Sequence, residues 1–430
     1  MADKRLRAVL LVGLLILAII SINYIPRRAL SASGSIDFHS YWYAGIFLRQ
    51  GQDPYQAYLL DLNPVLPIKF LDLPDLEFSS IAQPGLATVP ANTAPIVWLL
   101  SIFSWFSWPA ARLLWLICNL ILIPVVFRLA LAYTPKPQLK RWDYLILFTA
   151  FISLFGIRNT TGNGQTSLLI FCFMLLALLL VDRKPILAGA LLGFALSKYS
   201  IALPVLLLFA LRKKTSPILT AFGVQITAAI ILHWHTGSSL LEIFDAYFQI
   251  AQEHTTQPGI HLTAAFSPPV GEFLLAAFTL MLCSIPVIVF FRRFRAGMSG
   301  VSRILLVDQQ QFHIYHLLLC YLLISVYHRN YDTFIIFPLL VWLYGKIKSS
   351  SAAKEANWRR TQALLLGFCF VVLVIPASGM QNIFDRLEIS VINGSSLEAI
   401  LASLCLSLLF LYCFVNIFPV PTAWKNSRSE

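Results

Sequence analysis

Charged side chains are scarce in this chain of 430 residues. Asp, Glu, Lys and Arg make up 12% of the sequence, whereas hydrophobic residues make up 58% and the mean hydropathy is +0.74. A soluble domain has about 25% charged and about 45–50% apolar residues. Because so few charges cannot cover a surface that faces water, the composition excludes a soluble enzyme and a disordered or fibrous chain. It predicts an all-α polytopic membrane protein.

Metal-binding and redox motifs are also missing from the sequence. The seven cysteines lie inside apolar runs and have no Cys-x-x-Cys spacing, so they predict buried apolar side chains and no metal site. No pair of acidic residues is spaced to suit Mg²⁺. We therefore expect neither a metal nor a cofactor.

The net charge of +12 would suit a nucleic acid as partner, but the placement of the charges argues against it. Most of the 32 Lys and Arg residues fall in small groups between apolar runs, at 4–7, 136–141, 183–184, 212–214, 292–303, 346–360 and 425–428. This is the positive-inside pattern of a multi-pass protein. We expect a plasma-membrane or inner-membrane protein with cytoplasmic N- and C-termini, in contact with the bilayer and not with nucleic acid.

Apolar runs of about the length that crosses the hydrocarbon recur along the whole chain. They are found at 8–24, 110–131, 143–157, 166–181, 186–211, 217–233, 271–291, 311–327, 333–345, 361–378 and 397–418. The first predicts an uncleaved anchor. With both termini on one side, the number of crossings must be even. About twelve transmembrane helices satisfy this in a single membrane domain over 1–430, with the run 94–107 dipping into the membrane or lying on it.

The run 186–211 differs from the others because it has basic residues at both ends and Lys198 near its middle. Two basic flanks on one side of the membrane favour a hairpin of two half-length helices with its tip at 198–199. The alternative is a single span with a buried lysine.

The first outer loop, 25–93, is the longest hydrophilic stretch and is acidic. Within it, 38–48 predicts a short amphipathic helix with Asp37 as its N-cap, Gly51 as its stop and a turn at 53–55. Asp37 either caps this helix or acts as a general base just outside the first membrane anchor, where it would take the proton of an incoming hydroxyl.

Polar residues at 158–167 predict an outer turn before a membrane helix. Asn163 and Gln165 stand at the start of that helix, whose free N–H groups favour an anion or a sugar hydroxyl. Lys198 either snorkels to the outer interface or places a positive charge on a lipid-linked phosphate.

Residues 327–332 form a dense polar cluster between two apolar runs on the same predicted face. Either Arg329 and Asp332 form an ion pair, or His328 and Arg329 contact a phosphate or a sugar.

Several of these residues also carry a family resemblance. The stretches concerned occur in order over about 35–345 and resemble the motifs of glycosyltransferase family 87: Asp37-Phe38 with Tyr41 and Ala44, then Gly51-Gln52-Asp53-Pro54-Tyr55, Gly164-Gln165, and Leu187 to Lys198 followed by Pro204. The family includes mannosyltransferases that depend on polyprenol-phosphate mannose and is placed in the GT-C class of inverting membrane enzymes.

The resemblance implies a GT-C-like bundle with short outer-loop helices, and a hexosyltransferase that uses a polyprenyl-phosphate sugar and a glycan or lipid acceptor. It makes Asp37 the candidate catalytic base and Lys198 the ligand of the donor phosphate. Taken with the polar clusters, the candidate site gains two further phosphate ligands, Arg329 and His328, and the substrate-binding residues Tyr41, Tyr55, Asn163, Gln165, Tyr199 and Asp332.

A transporter or flippase of a lipid-linked sugar is the main alternative, since it would also explain many helices, a broken hairpin and a charge at midplane. Two halves of related hydropathy would favour it, and none is evident. A subunit without enzymatic activity is a third reading.

Overall fold

The protein is described from a computed structural model over residues 2–31, 34–61, 92–135, 139–255, 262–266, 268–295, 308–326, 330–349, 356–375 and 394–417. Every regular element in these residues is a helix, as the all-α prediction requires. The chain divides into two compact units, one formed by Met1–Tyr133 with Leu139–Pro258 and the other by Thr134–Gln138 with Gly259–Glu430. The expectation of a single membrane domain stays a prediction.

The first unit holds twelve described α-helices. They are α1 (Ala2–Ala29), α2 (Ile36–Arg49), α3 (Pro54–Asp61), α4 (Ala94–Ser101), α5 (Trp108–Tyr133), α6 (Arg141–Ser153), α7 (Phe155–Asn163), α8 (Ser167–Leu180), α9 (Pro185–Ala195), α10 (Tyr199–Leu211), α11 (Thr215–Thr236) and α12 (Leu240–Thr255). Short 3-10 helices follow α4 at Ile102–Trp105 and join α9 to α10 at Leu196–Lys198.

The second unit is described for six α-helices. They are α13 (Leu262–Ala265), α14 (Pro268–Arg295), α15 (Asp308–Ser325), α16 (Phe337–Ser349), α17 (Ala356–Val374) and α18 (Gly394–Ile417), with a 3-10 helix at Asn330–Ile336 before α16.

Five helical segments in the described residues are long and apolar enough to cross a membrane: Leu11–Ala29, Trp108–Tyr133, Pro185–Leu211, Thr215–Thr236 and Ala399–Ile417. A sixth results if α6 and α7, which meet at a bend of 54°, form one span. The expected number of twelve is therefore not confirmed. Residues Ala94–Trp105 form one of the shorter apolar segments, which agrees with the expectation that 94–107 does not cross.

The segment Pro185–Leu211 doubles back, although by length it could cross as one helix. Asp182, just before it, forms ion pairs of 2.7 Å with both Arg212 and Lys214, just after it. A straight helix of 27 residues would hold these ends about 40 Å apart. The chain thus reverses at the 3-10 turn, which confirms the predicted hairpin and rules out the single span.

Two glycines fix the hairpin against α11. A Cβ at Gly189 would lie 2.5 Å from the carbonyl oxygen of Pro217, and one at Gly193 would lie 2.6 Å from Cβ of Val224. The Gly-x-x-x-Gly spacing puts both on one face of α9, where only glycine lets the two backbones come so close. Because both contacts advance along the two helices in the same direction, α9 and α11 run parallel, and α10, which joins them in sequence, runs back in the opposite direction.

The predicted outer turn at 158–167 is mostly wrong. Residues Phe155–Asn163 form α7, in which Thr160, Thr161 and Gly162 are buried. Only 164–166 link α7 to α8. The polar composition suggested a loop, but it reflects a polar helix packed against its neighbours.

Candidate active site at the start of helix 8

The start of α2 docks on the link between α7 and α8. The backbone N–H of Ser35 donates to the carbonyl of Gly162 at 3.2 Å. Gly164 has φ +72°, and a Cβ there would lie 2.6 Å from Cβ of Phe38, so glycine is required for the close approach. The N-cap is Ser35, and Asp37, half-buried in the first turn, is not the N-cap that we expected.

Helix α2 is enclosed and not amphipathic, contrary to the expectation from sequence. Its residues from Phe38 to Leu48 are buried with the exception of Tyr43. The ring of Phe38 stacks on that of Trp115 at 5.1 Å between centroids, and the indole N–H of Trp115 donates to the carbonyl of Gly164 at 2.9 Å. These contacts hold the helix that carries Asp37 against α5 and the link between α7 and α8.

At the end of α2, the prediction from sequence is correct for Gly51 and wrong for Asp53. Gly51, with φ +71°, ends the helix as predicted. Asp53 is not in a turn. Its Oδ1 accepts the backbone N–H of Tyr55 at 2.9 Å, so it caps α3. Burial raises the pKa of the Asp53 carboxyl, opposed by hydrogen bonds from the backbone of Tyr55 and Gln56.

A chain of hydrogen bonds joins α3, α4, α2 and α8. The Tyr55 hydroxyl donates to the carbonyl of Asn92 at 2.5 Å, and Nδ2 of Asn92 donates to the hydroxyl of Tyr41. The Tyr41 hydroxyl also lies 3.0 Å from Oγ1 of Thr166. Both predicted tyrosines are therefore in one polar cluster.

The hairpin tip brings Lys198 to the same place. The ammonium group of Lys198 donates to Oγ of Ser167, the first residue of α8, at 2.7 Å. The preceding residue, Ser197, accepts the backbone N–H of Thr93 at 3.3 Å with its carbonyl and that of Ile96 at 3.2 Å with its hydroxyl. These bonds fix the lysine next to the beginnings of both α4 and α8.

The electrostatics at the start of α8 favour an anion. The first-turn N–H groups of an α-helix have no partner within the helix, and they carry a partial positive charge. The ammonium of Lys198 adds a full positive charge at the same position. Asp37 stands four residues before Tyr41, on the same face of α2, and Tyr41 touches Thr166. The structure thus brings both α2, the helix that carries Asp37, and Lys198 into contact with the start of α8.

The other predicted residues have different surroundings. Gln165 is buried, and its backbone N–H donates to the carbonyl of Thr160 at 2.8 Å. Oδ1 of Asn163 accepts from Nε of Arg28 at 3.1 Å, and its amide donates to Asn159 at 3.1 Å, so it links α1 to α7. Tyr199, 45% exposed, begins α10 beside the cluster.

The predicted cluster at 327–332 belongs to the second unit. Tyr327, His328 and Arg329 lie outside the described residues. Asp332, which we expected to bind substrate, is 2% exposed in the 3-10 helix Asn330–Ile336. The roles expected for this cluster stay predictions.

Sequence reasoning missed Asn92, Thr166 and Ser167. Each stands within two residues of the first residue of an apolar helix, where Asn, Ser and Thr are common near the cap. That position is the only local signal, because what makes them part of the site is their contact with Tyr41 and Lys198, far away in sequence. Among the described residues, no group of three or more His, Cys, Asp or Glu side chains could hold a metal ion.

These features define a membrane protein that is helical throughout its described residues, in which a lysine and the helix that carries Asp37 meet at the start of α8. The sequence model of glycosyltransferase family 87 matches residues 93–308, about half of the chain. The protein belongs to that family and is a membrane glycosyltransferase. The match includes Gln165 and Lys198, whereas Asp37 precedes it and His328 follows it. No curated protein and no solved structure gives a significant match.

Proposed function

We propose that this glycosyltransferase moves a hexose, mannose in particular, from a polyprenyl-phosphate donor to a glycan or lipid acceptor, with inversion at the anomeric carbon. Membership of family 87 supports the transfer of a sugar. The choice of a lipid-phosphate donor rests on one observation, the ammonium of Lys198 at the N-terminus of α8. A lysine and the N-terminus of a helix together suit a phosphate.

The depth of this lysine supports a donor that arrives through the membrane. The helices α8, α9 and α10 have 14, 11 and 13 residues, which corresponds to about 16–21 Å. The hydrocarbon core is about 30 Å thick. Lys198 lies where α9 ends and α10 begins, and Ser167 is the first residue of α8. Because these helices are shorter than α11, the charge of Lys198 lies deeper in the membrane than the end of α11. A lipid-anchored phosphate reaches such a position more easily than a free nucleotide sugar.

In the proposed reaction, the Asp37 carboxylate takes the proton of an acceptor hydroxyl as its oxygen attacks the anomeric carbon. The bond between that carbon and the phosphate oxygen breaks on the opposite face, and the polyprenyl phosphate leaves with the electron pair. The negative charge that develops on the phosphate is offset by Lys198 and the first N–H groups of α8. In this proposal Tyr41, which is hydrogen-bonded to Thr166 and Asn92, contacts the sugar.

Membranes containing the protein, supplied with labelled polyprenyl-phosphate mannose, test this proposal. We expect label in a glycan or glycolipid product and an equal amount of released polyprenyl phosphate. Membranes without the protein are the control. Transfer from a nucleotide sugar but not from the lipid-linked sugar would contradict the assigned donor, and donor movement between leaflets without transfer would contradict the reaction.

A further inference from the structure

Helix α12 has three distinct faces. One is buried in the first unit and consists of Ile243, Ala246, Tyr247 and Ile250, each at most 6% exposed. A second is polar and carries Glu242, Asp245, Gln249 and Gln252, with the amide of Gln249 bonded to Asp245 at 2.8 Å. The third is apolar and exposed, with Leu241 at 82%, Phe244 at 48% and Phe248 at 64%. A second apolar face on a helix that already has a buried one requires another apolar environment.

The chain places this third face close to the membrane. Helix α11 is long and apolar enough to cross, and it ends at Thr236. Only residues 237–239 link it to α12, so Leu240 begins within about 14 Å of the end of α11 even if the link is fully extended. Ser239 and Glu242 exchange backbone-to-side-chain hydrogen bonds of 2.7 and 3.3 Å, a capping box that fixes where α12 starts.

Helix α11, which precedes α12, also has an exposed apolar surface. Large apolar side chains are exposed along α11 at Leu219, Phe222, Ile226, Ile231 and Trp234. Trp234, at 78%, lies in the last turn, and tryptophan is the residue that favours the boundary between lipid and water. Helix α12 therefore begins close to the end of a helix whose own exposed surface suits lipid.

We propose that α12 lies in the plane of the membrane at the end of α11, with Leu241, Phe244 and Phe248 inserted at the boundary between headgroups and acyl chains. The polar face then meets the headgroups, and the buried face stays on the protein. No Lys or Arg occurs in α12, so insertion depends on apolar contact alone, unlike that of basic interfacial helices. This proposal is independent of the donor and of the reaction.

Helix α12 also contacts a residue of the polar cluster at the candidate active site. The ring of Tyr247, on its buried face, packs edge-on against that of Tyr55 at 5.9 Å. Tyr55 begins the chain of hydrogen bonds that leads through Asn92 to Tyr41. A helix seated in the membrane surface would thus contact one end of the hydrogen-bond chain that leads to the candidate active site.

Photocrosslinking in lipid nanodiscs tests the proposal. Benzoylphenylalanine is placed at position 248 and, as a matched control on the polar face, at position 249, in discs of phosphatidylcholine with labelled acyl chains. We expect lipid adducts at 248 in severalfold higher yield than at 249, with no change when anionic phosphatidylglycerol is added. Positions 241 and 245 form a second pair if either variant fails to fold.

Equal lipid yields on the two faces would overturn the proposal, as would an adduct at 248 with a second copy of the protein instead of lipid. A yield at 248 that rises only with anionic lipid would overturn insertion by apolar contact.

Discussion

At the scale of single residues, Asp37 and Lys198 stand on separate elements, α2 and the hairpin tip, which both contact the start of α8. Nothing in the local sequence links them. Their relation depends on Tyr41, which touches Thr166, and on Ser167, which accepts from Lys198 at 2.7 Å. Substitutions that change charge but little volume separate their roles.

Asp37→Asn should abolish sugar transfer without changing expression, because the amide cannot take a proton from the acceptor. General base catalysis contributes about 10²–10⁴-fold, so we expect a loss of that order in kcat with little change in the donor KM. Initial rates with labelled donor measure this. Asp53→Asn, which changes the other acidic residue near α2, is the control and should keep its activity; transfer retained by Asp37→Asn would remove the base assignment.

Lys198→Gln should keep a hydrogen bond to Ser167 but lose the positive charge. Hydrogen bonds to charged groups contribute about 1.5–3 kcal/mol, so we expect kcat/KM for the lipid donor to fall by about 10–100-fold. Lys213→Gln, an exposed lysine in the basic loop after α10, is the matched control. A Lys198 variant whose kcat/KM equals that of the control would contradict the phosphate contact.

Asp53→Asn should change how stability depends on pH. Burial raises the pKa of Asp53 in the folded protein, so the stability that this carboxyl contributes is present at low pH and is lost as the pH rises through its folded-state value. Asn caps a helix equally well and has no charge to bury. Thermal melts should therefore agree at acidic pH, and the variant should melt higher at neutral and basic pH. A variant that melts lower at neutral pH would refute the burial effect.

At the scale of elements, the hairpin α9–α10 depends on close contact with α11. Gly189→Ala should destabilise the protein by about 1–3 kcal/mol, as overpacking does, because the new Cβ would lie 2.5 Å from a backbone oxygen. Gly223→Ala, on α11 where nothing lies within 4 Å of a Cβ, should be neutral or stabilising by about 0.5–1 kcal/mol. The melting temperatures of the two variants are compared in detergent. Equal changes would show that the contact between α9 and α11 does not stabilise the protein.

The elements differ in how far the sequence predicts them. The hairpin was predictable because basic flanks and a central lysine are local signals, and so was the stop at Gly51. The helix α7 was not, because its polar residues read as a loop, and only packing against α1 and α8 makes them helical. Asp53 was predicted to begin a turn although it caps a helix, because Asp-Pro occurs at the start of turns and of helices. In the site, Tyr41, Tyr55 and Lys198 were found by their motifs, whereas Asn92, Thr166 and Ser167 matter only through contacts over long sequence separations.

At the scale of the whole molecule, the ion pairs of Asp182 place the basic loops 182–184 and 212–214 together at one end of the first unit. Helix α11 then carries the chain to the other end, where Nε2 of His235 donates to the carbonyl of Leu48. The positive-inside rule predicts that this basic end faces the cytoplasm. The candidate site would then open toward the opposite face.

Cysteine labelling checks this orientation. Single cysteines at 183 and 213 should resist a membrane-impermeant maleimide in intact cells and react after permeabilisation, whereas one at 238 should react in both. The parent chain gives the background from its native cysteines. The reverse pattern would place the active site in the cytoplasm.

The hairpin also governs how the chain can be made. Its two helices, of 11 and 13 residues, are each shorter than the roughly 20 that span the bilayer, and its tip carries a lysine that costs about 2.5–3.5 kcal/mol at the centre of an inserting helix. The surface that receives Gly189 and Gly193 belongs to α11, which leaves the ribosome later. We therefore expect residues 185–236 to insert into the bilayer together during biosynthesis. If translation stopped before α11 was complete, the hairpin that carries Lys198 would lack the helix against which it packs.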